Sequence, residues 1–298
     1  MYDVIIVGGG PAGLSAALVL GRCRRQVLVC DDGRYRNEAS VGLHGFLTRD
    51  GIHPSELRRI GREQLARYEI EFRQTHVTDA RPVDGHFEVV LEQGGCLACR
   101  KLLLATGVTD HVPQIPGMEQ FYGCSVFHCP YCDGWEVRDE PLAAYGRGRN
   151  GAGLAVSLKT WSDDIVLCSD GPAGLKAEEA ARLADRGIPV REERIARLEG
   201  SGDKLEQIVF RDGSFLPRRG IFLSAGQSQR CDLASRLGCA FTAKGAVRTG
   251  RLEGTNVPGL YVAGDASKDV QLAVVAAAEG AKAAIAIHTA LQQESDVR

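Results

Sequence analysis

Asp3-Val-Ile-Ile-Val7, Gly8-Gly-Gly-Pro-Ala-Gly13, Leu14-Ser-Ala-Ala-Leu-Val-Leu20 and Gln26-Val-Leu-Val-Cys30, closed by Asp31, open the chain and decide its fold. The first run is apolar throughout and of strand length, as a parallel strand covered on both faces would be. The glycines follow directly, and a helical run follows them, so this is one βαβ unit. Gly8, Gly10 and Gly13 give the spacing G-x-G-x-x-G, with Pro11 and Ala12 between the second and third. The first glycine permits the turn, the second lets a pyrophosphate reach the backbone, and the third lets helix and strand pack closely. The helix N-terminus then offers amides and positive dipole to the phosphates. Asp31, about 20 residues on, is placed to take ribose hydroxyls.

A second unit of the same kind begins at Pro141-Leu-Ala-Ala-Tyr145. It passes through Gly146, Gly148 and Gly151 into a helix around Leu154 to Trp161, then into Asp164-Ile-Val-Leu-Cys168, with Asp170 just beyond. Between the units, Pro54 to about Tyr68 reads as an amphipathic helix. His86–Leu91 and Lys101–Ala105 flank a Gly94-Gly95 turn and read as a hairpin. After Ile221-Phe-Leu-Ser224 the chain reads as a return to the first domain. The expected class is therefore α/β, with two Rossmann-like dinucleotide-binding domains, the second inserted in the first.

Two further stretches choose the dinucleotide. Leu104-Ala105-Thr106-Gly107 and Tyr261-Val-Ala-Gly264-Asp265 are strands that end in small residues, as required where backbone meets a large cofactor. Asp265 is expected at the ribityl chain of an FAD. A helix beginning near Gln271, with Leu272 and Ala273, is expected to aim its first amides at the flavin pyrimidine edge.

The bulk composition narrows the class. The chain has 298 residues, enough for two domains, with a net charge of −2, so no broad basic field attracts nucleic acid. No stretch is read as the run of about 20 apolar residues that crosses a bilayer. The start lacks a basic n-region, so no signal peptide is expected, and a cytoplasmic location follows, with neither membrane nor nucleic acid as partner. There are ten cysteines. In that compartment a disulfide framework is not expected, and most read as small buried hydrophobes. Two pairs have C-x-x-C spacing. Cys96 and Cys99 lie in the hairpin; a zinc site shared with the second pair would need too long a span, so no metal is expected and packed thiols are preferred over a peripheral disulfide. Cys129-Pro-Tyr-Cys132, followed by Asp133 and Gly134, is the chemical pair: two thiols so spaced close a disulfide with little strain at a helix start, where one thiol pKa is lowered. His128 reads either as an aid to proton transfer or as a structural histidine.

In this order (G-x-G-x-x-G, A-T-G, C-x-x-C-D-G, a second G-x-G-x-x-G, V-P-G-L-Y-V-A-G-D) the motifs resemble the low-molecular-weight thioredoxin reductases over essentially the whole chain. The resemblance implies an FAD domain from residues 1–112 and 224–298, and an NAD(P)-binding-like domain at 113–223 that carries the redox pair. It implies Cys132 as the flavin-proximal sulfur, Cys129 as the interchange thiol and Asp133 as acid/base. It also implies a homodimer, a rotation between domains, and a small-molecule dithiol/disulfide or thioredoxin-like protein as substrate.

Two departures leave alternatives open. Those reductases carry paired arginines for the NADPH 2′-phosphate where this chain has Asp170, a carboxylate better suited to a free ribose diol. Arg147 and Arg149, inside the glycine loop, are read as solvated or on pyrophosphate oxygens in preference to compensating for the missing pair. NADH, NADPH by another route, or no nucleotide are the three options. Secondly, His44-Gly-Phe-Leu-Thr-Arg-Asp-Gly51, the pair Arg36-Asn37 and Gly134-Trp-Glu-Val-Arg138 resemble the dithiol oxidases that close disulfides in natural products of the gliotoxin, holomycin and romidepsin kinds. Asn37 is accordingly expected among the cofactor-binding residues. Those enzymes run the relay in reverse, toward oxygen or an oxidised nucleotide. Several carry histidine where this chain has Asp133, which favours the reductase direction there.

Overall fold

Tyr2–Val7 lies in the middle of a parallel sheet, with Val27–Asp31 on one side and Cys96–Leu104 on the other. The register pairs Val7 with both Cys30 and Leu104, so the C-terminal ends of the three strands come level. Glu71–Gln74 adds an outer strand beside Val27–Asp31. Leu260–Val262 lies against Leu102 to Leu104 on the far side. The computed structural model describes residues 1–267 and 270–296.

The chain divides into two units, one of residues 1–38, 45–109 and 228–298, the other of residues 39–44 and 110–227. In the first unit, Val4, Ile5, Ile6 and Leu28 are fully buried, which explains an apolar run with no alternation. Helix Pro11–Arg22 starts with proline at its first position, where no amide hydrogen is needed. Its Ala16, Ala17 and Leu20 pack on Ala283, Ala284, Ile287 and Leu291 of the last helix, Ala273–Asp296. Small side chains let those helices come close: a Cβ on Gly280 would sit 2.0 Å from the Ala12 carbonyl oxygen. Burying Leu20 alone stabilises the unit by about 2 kcal/mol. By length and composition the last helix is able to cross a bilayer, contrary to the expectation that no stretch comes near. Here one face of it forms the core. The expected hairpin is present as His86–Leu91 and Cys96–Leu104, antiparallel through the Phe87–Cys99 to Val90–Cys96 pairs. Val77–Val83 pairs with its outer edge.

The second unit repeats the plan. Val190–Arg191, Ile165–Cys168, Leu142–Tyr145, Gly220–Leu223 and Val126–Phe127 form a parallel sheet in that order. Helix Gly148–Leu158 follows the central strand and buries Ala152, Ala155 and Leu158 against it. Ile195–Ser201, Lys204–Phe210 and Phe215–Pro217 form a separate antiparallel sheet, the counterpart of the hairpin in the first unit. Two Rossmann-like units, the second carried between segments of the first, is the architecture observed.

Candidate active site

Phe127 ends a two-residue strand, and Cys129 is the N-cap of the single helical turn Pro130–Asp133. Proline at the first helical position fixes the turn, and the amides of Cys132 and Asp133 donate to the Cys129 carbonyl at 3.1 and 3.2 Å. The turn folds Cys132 back onto Cys129, and the two are disulfide-bonded with Cα atoms 5.2 Å apart. Four residues carry only a small macrodipole, so the helix expected to acidify a thiol contributes little of that effect. Gly134 closes the turn; a Cβ there would lie 2.5 Å from the Pro130 oxygen and 2.7 Å from the Trp161 ring. Tyr131 meets Trp161 edge-on with centroids 5.7 Å apart, and Arg138 lies over Trp135 at 4.1 Å. Tyr131 and Trp135 are 76% and 64% exposed, so the disulfide has large, accessible aromatic neighbours.

Asp133 has the most consequential protonation in this turn. Burial raises its pKa, and the Glu136 carboxylate raises it further, to about 7. Near neutrality it is therefore a carboxylic acid able to give up a proton. Glu136 in turn lies 3.5 Å from His44 Nε2. On the other side of the pair, the Tyr122 hydroxyl donates to Asp110 at 3.1 Å and lies 3.1 Å from His128 Nδ1. His128 Nδ1 is 3.8 Å from the Asp110 carboxylate, so a polar network holds the residue that precedes Cys129.

The first glycine loop has the steric character its spacing predicts. A Cβ on Gly8, whose φ is +108°, would meet the Ala105 oxygen at 2.3 Å, and one on Gly13 would meet the Gly8 oxygen at 1.9 Å. Gly10 is different: nothing lies within 4 Å of its missing Cβ, and the residue caps helix Pro11–Arg22 with no side chain over the amides. Open backbone at a helix N-terminus is what a dinucleotide pyrophosphate requires, so the loop fits FAD. Asp31, 3% exposed, accepts from the Gly9 amide at 3.0 Å and, through Oδ2, from Tyr35 and from Arg62 at 2.8 Å. Ala105, Thr106 and Gly107 follow the strand end level with Val7; the Ala105 amide donates to the Val7 oxygen at 2.8 Å. Gly264, with φ +82°, donates its amide to the buried Glu279 at 2.8 Å. Arg36 bridges Asp265 and Gln271, 2.7 Å from each. The last helix begins at Ala273, two residues past Gln271, and Leu272 accepts its first backbone bond. The Asn37 side chain accepts from Arg58 at 3.3 Å.

Sequence reading missed Tyr35, Arg62 and Glu279, and used Arg36 only as part of a motif. Their partners lie up to 235 residues away, and no periodic pattern marks them.

In the second loop a Cβ on Gly151 would lie 2.5 Å from the Gly146 carbonyl carbon, which reproduces the tight contact of Gly13. Gly148 has φ +52°, a left-handed conformation that glycine takes without penalty. Asp170 behaves unlike a free ribose ligand: its Oδ1 accepts the Ile195 amide at 2.8 Å. Arg149 is exposed. Cys96 and Cys99 do not form a pair. They are three apart on one strand and so face opposite sides, Cys96 exposed and Cys99 buried with its thiol pushed up to about 12.

Comparison with known proteins agrees with this geometry. The family model described as pyridine nucleotide-disulphide oxidoreductase matches residues 2–280. The chain is 31% identical to a probable thioredoxin reductase of Arthroderma benhamiae, over 98% of this chain and 81% of that protein. It is 33% identical to thioredoxin reductase tcpT of Claviceps purpurea, over 89% of this chain and 86% of that one. The crystal structure of HlmI superposes with a TM-score of 0.95 at 36% identity, covering 99% of this chain and 94% of HlmI.

Proposed function

From the chain's membership of the pyridine nucleotide-disulphide oxidoreductase family, we propose that Cys129 and Cys132 are the pair through which this FAD-dependent enzyme interconverts dithiol and disulfide. The observation that carries the reading is the closed Cys129–Cys132 bond beside an acid whose pKa is near 7. Gly8, Gly10, Gly13, Asp31 and Asp265 would hold FAD, which would supply or accept the two electrons that open or close that bond.

In the reducing direction the opened pair acts on an outside disulfide. The Cys129 thiolate attacks one sulfur of the substrate, a mixed disulfide forms, and the other substrate sulfur leaves as thiolate. Protonated Asp133 gives that thiolate its proton. Asp133, now a carboxylate, takes the proton of the Cys132 thiol. The Cys132 thiolate attacks the Cys129 sulfur, the second substrate thiolate leaves and receives that proton from Asp133, and the Cys129–Cys132 bond closes again. Two electrons and two protons have passed to the substrate. We place the enzyme in the cytoplasm as a homodimer, on the resemblance to thioredoxin reductases; sedimentation as a monomer would contradict the second part.

The same atoms run backwards in a dithiol oxidase, and one contact favours that second reading. His44 and Glu136, 3.5 Å apart, belong to two of the three stretches that resemble the natural-product dithiol oxidases. They meet beside Asp133. Under that reading the substrate is a small dithiol and the acceptor is oxygen or an oxidised nucleotide.

Anaerobic reductive titration of the purified protein tests the shared core. About four electrons per chain are expected, two for the flavin and two for the disulfide. Uptake of only two would remove the cysteine pair from the redox path. Adding a disulfide substrate to the reduced protein, or a dithiol to the oxidised protein under oxygen, then gives the direction.

A further inference from the structure

The end of strand Ile165–Cys168 is where a Rossmann-type unit recognises the adenosine ribose: a carboxylate there suits the diol of NAD, and an arginine suits the 2′-phosphate of NADP. By sequence the position belongs to Asp170. In the structure it does not. Asp170 adopts φ +50°, which turns its carboxylate onto the Ile195 amide. Two arginines come over the position instead, one from each side.

Arg147, the N-cap of helix Gly148–Leu158, donates Nε to the Ser169 oxygen at 2.8 Å and Nη2 to the Asp170 oxygen. Arg194, just ahead of strand Ile195–Ser201, donates Nη1 to the same Asp170 oxygen at 2.8 Å. The two guanidinium groups converge above Gly171. A Cβ there would lie 2.9 Å from Arg194 Cζ and 3.1 Å from Arg147 Nη2. Glycine takes the φ of +116° there without strain, and its missing side chain leaves both guanidinium groups where they are.

The donors these arginines leave over, rather than net charge, favour an anion at this point. Asp170 lies 3.7 Å from Arg194 and offsets one positive charge. Of the neighbouring acids, Glu192 accepts the Ala173 amide at 2.8 Å and Glu193 pairs with Arg191 at 2.9 Å. Each guanidinium presents five N–H donors in a planar fork, of which these carbonyl bonds use two on Arg147 and one on Arg194. A phosphate is the group that planar forks bind in bidentate fashion.

We propose that Arg147 and Arg194 form a clamp for the 2′-phosphate of NADP(H), so that this enzyme selects the phosphorylated nucleotide although a carboxylate stands where the family's arginine pair would be. The clamp rests on the reading of residues 110–227 as the pyridine-nucleotide unit. Asp170 acts as the anchor that orients the Arg194 segment, not as a ribose ligand.

Calorimetric titration of the FAD-loaded protein with 2′,5′-ADP and with 5′-AMP tests the clamp without turnover. Wild type is expected to bind 2′,5′-ADP at least about tenfold tighter, with a preference that shrinks as salt rises. Arg147→Ala and Arg194→Ala should each erase most of that preference and leave 5′-AMP binding within about twofold; Arg194→Lys should retain part of it. Equal binding of the two ligands by wild type, or tighter 5′-AMP, overturns the clamp. So does a parallel loss of both ligands in the variants, which would mark the arginines as structural. If neither ligand binds while the reductive titration still takes up about four electrons, the clamp fails and the dithiol–disulfide reading stands.

Discussion

The two glycine loops share a plan and differ at the residue that follows their second strand. In the first unit Asp31 is the last residue of its strand, and its buried carboxylate reaches back to the Gly9 amide. In the second unit Asp170 lies two residues past the strand end, in a left-handed conformation, and its carboxylate turns away to Ile195. Arginine accompanies both acids, in opposite ways. Arg62 binds the Asp31 carboxylate directly, whereas Arg147 and Arg194 bind the Asp170 backbone carbonyl, with Arg194 3.7 Å from its carboxylate. On the proposed clamp, a shift of two residues and a change in one φ separate a diol-type site from a phosphate-type site on the same scaffold.

Cys129 and Cys132 lie in the second unit, and the largest expected effect follows from that. Cys129→Ser and Cys132→Ser should each lose dithiol/disulfide turnover by several orders of magnitude while remaining yellow, because the FAD loop lies in the other unit. Cys132→Ser should still trap a substrate on Cys129 as a mixed disulfide, detectable by mass spectrometry. Activity retained in both variants would make the pair structural.

Alanine at the third glycine of each loop separates the two units. Gly13→Ala places a Cβ 1.9 Å from the Gly8 oxygen and should give protein that does not retain FAD. Gly151→Ala makes a contact with Gly146 that is also too short, but in the second unit. It should keep its flavin absorbance and lose reduction by nicotinamide nucleotides. Loss of FAD from both variants would show that the loops are not independent.

Asp133→Asn should slow the thiol–disulfide step by about a hundredfold. In wild type the acid form is present below pH about 7, so that step should weaken as pH rises through that value; the variant should lack this limb. Stability has a matching sign. The folded protein binds the Asp133 proton more tightly than the unfolded chain, so this group's contribution falls as pH climbs from about 4 to 7. A higher Tm for Asp133→Asn than for wild type at pH 8 is expected; a lower one would mean the carboxylate is better solvated than its surroundings indicate. The smallest effect belongs to the other C-x-x-C. Alkylation of the native protein should label Cys96 and spare Cys99, and Cys96→Ser should leave turnover unchanged.

Much of this was legible in residue order. A strand of uninterrupted Val and Ile, glycines at fixed offsets and a helix led by proline are local features whose sterics act within a few residues. For that reason both βαβ units and the hairpin were readable, and the cysteine pair stood out by its spacing and the acid beside it. The end of the last helix shows where that kind of reading fails. Its alanines look merely permissive until Gly280 is seen against Ala12.

Sequence by itself determined the two dinucleotide-binding units, the redox pair and the class of chemistry, because each depends on neighbours in the chain. Tertiary structure alone decided the bridge from Arg36 to Asp265, the raised pKa of Asp133, and the turning of Asp170 onto Ile195 with Arg147 and Arg194 above Gly171. Each of these depends on burial, or on groups brought together across 23 or more residues. Closing such loops is a property of the whole packed unit, and no local pattern records it.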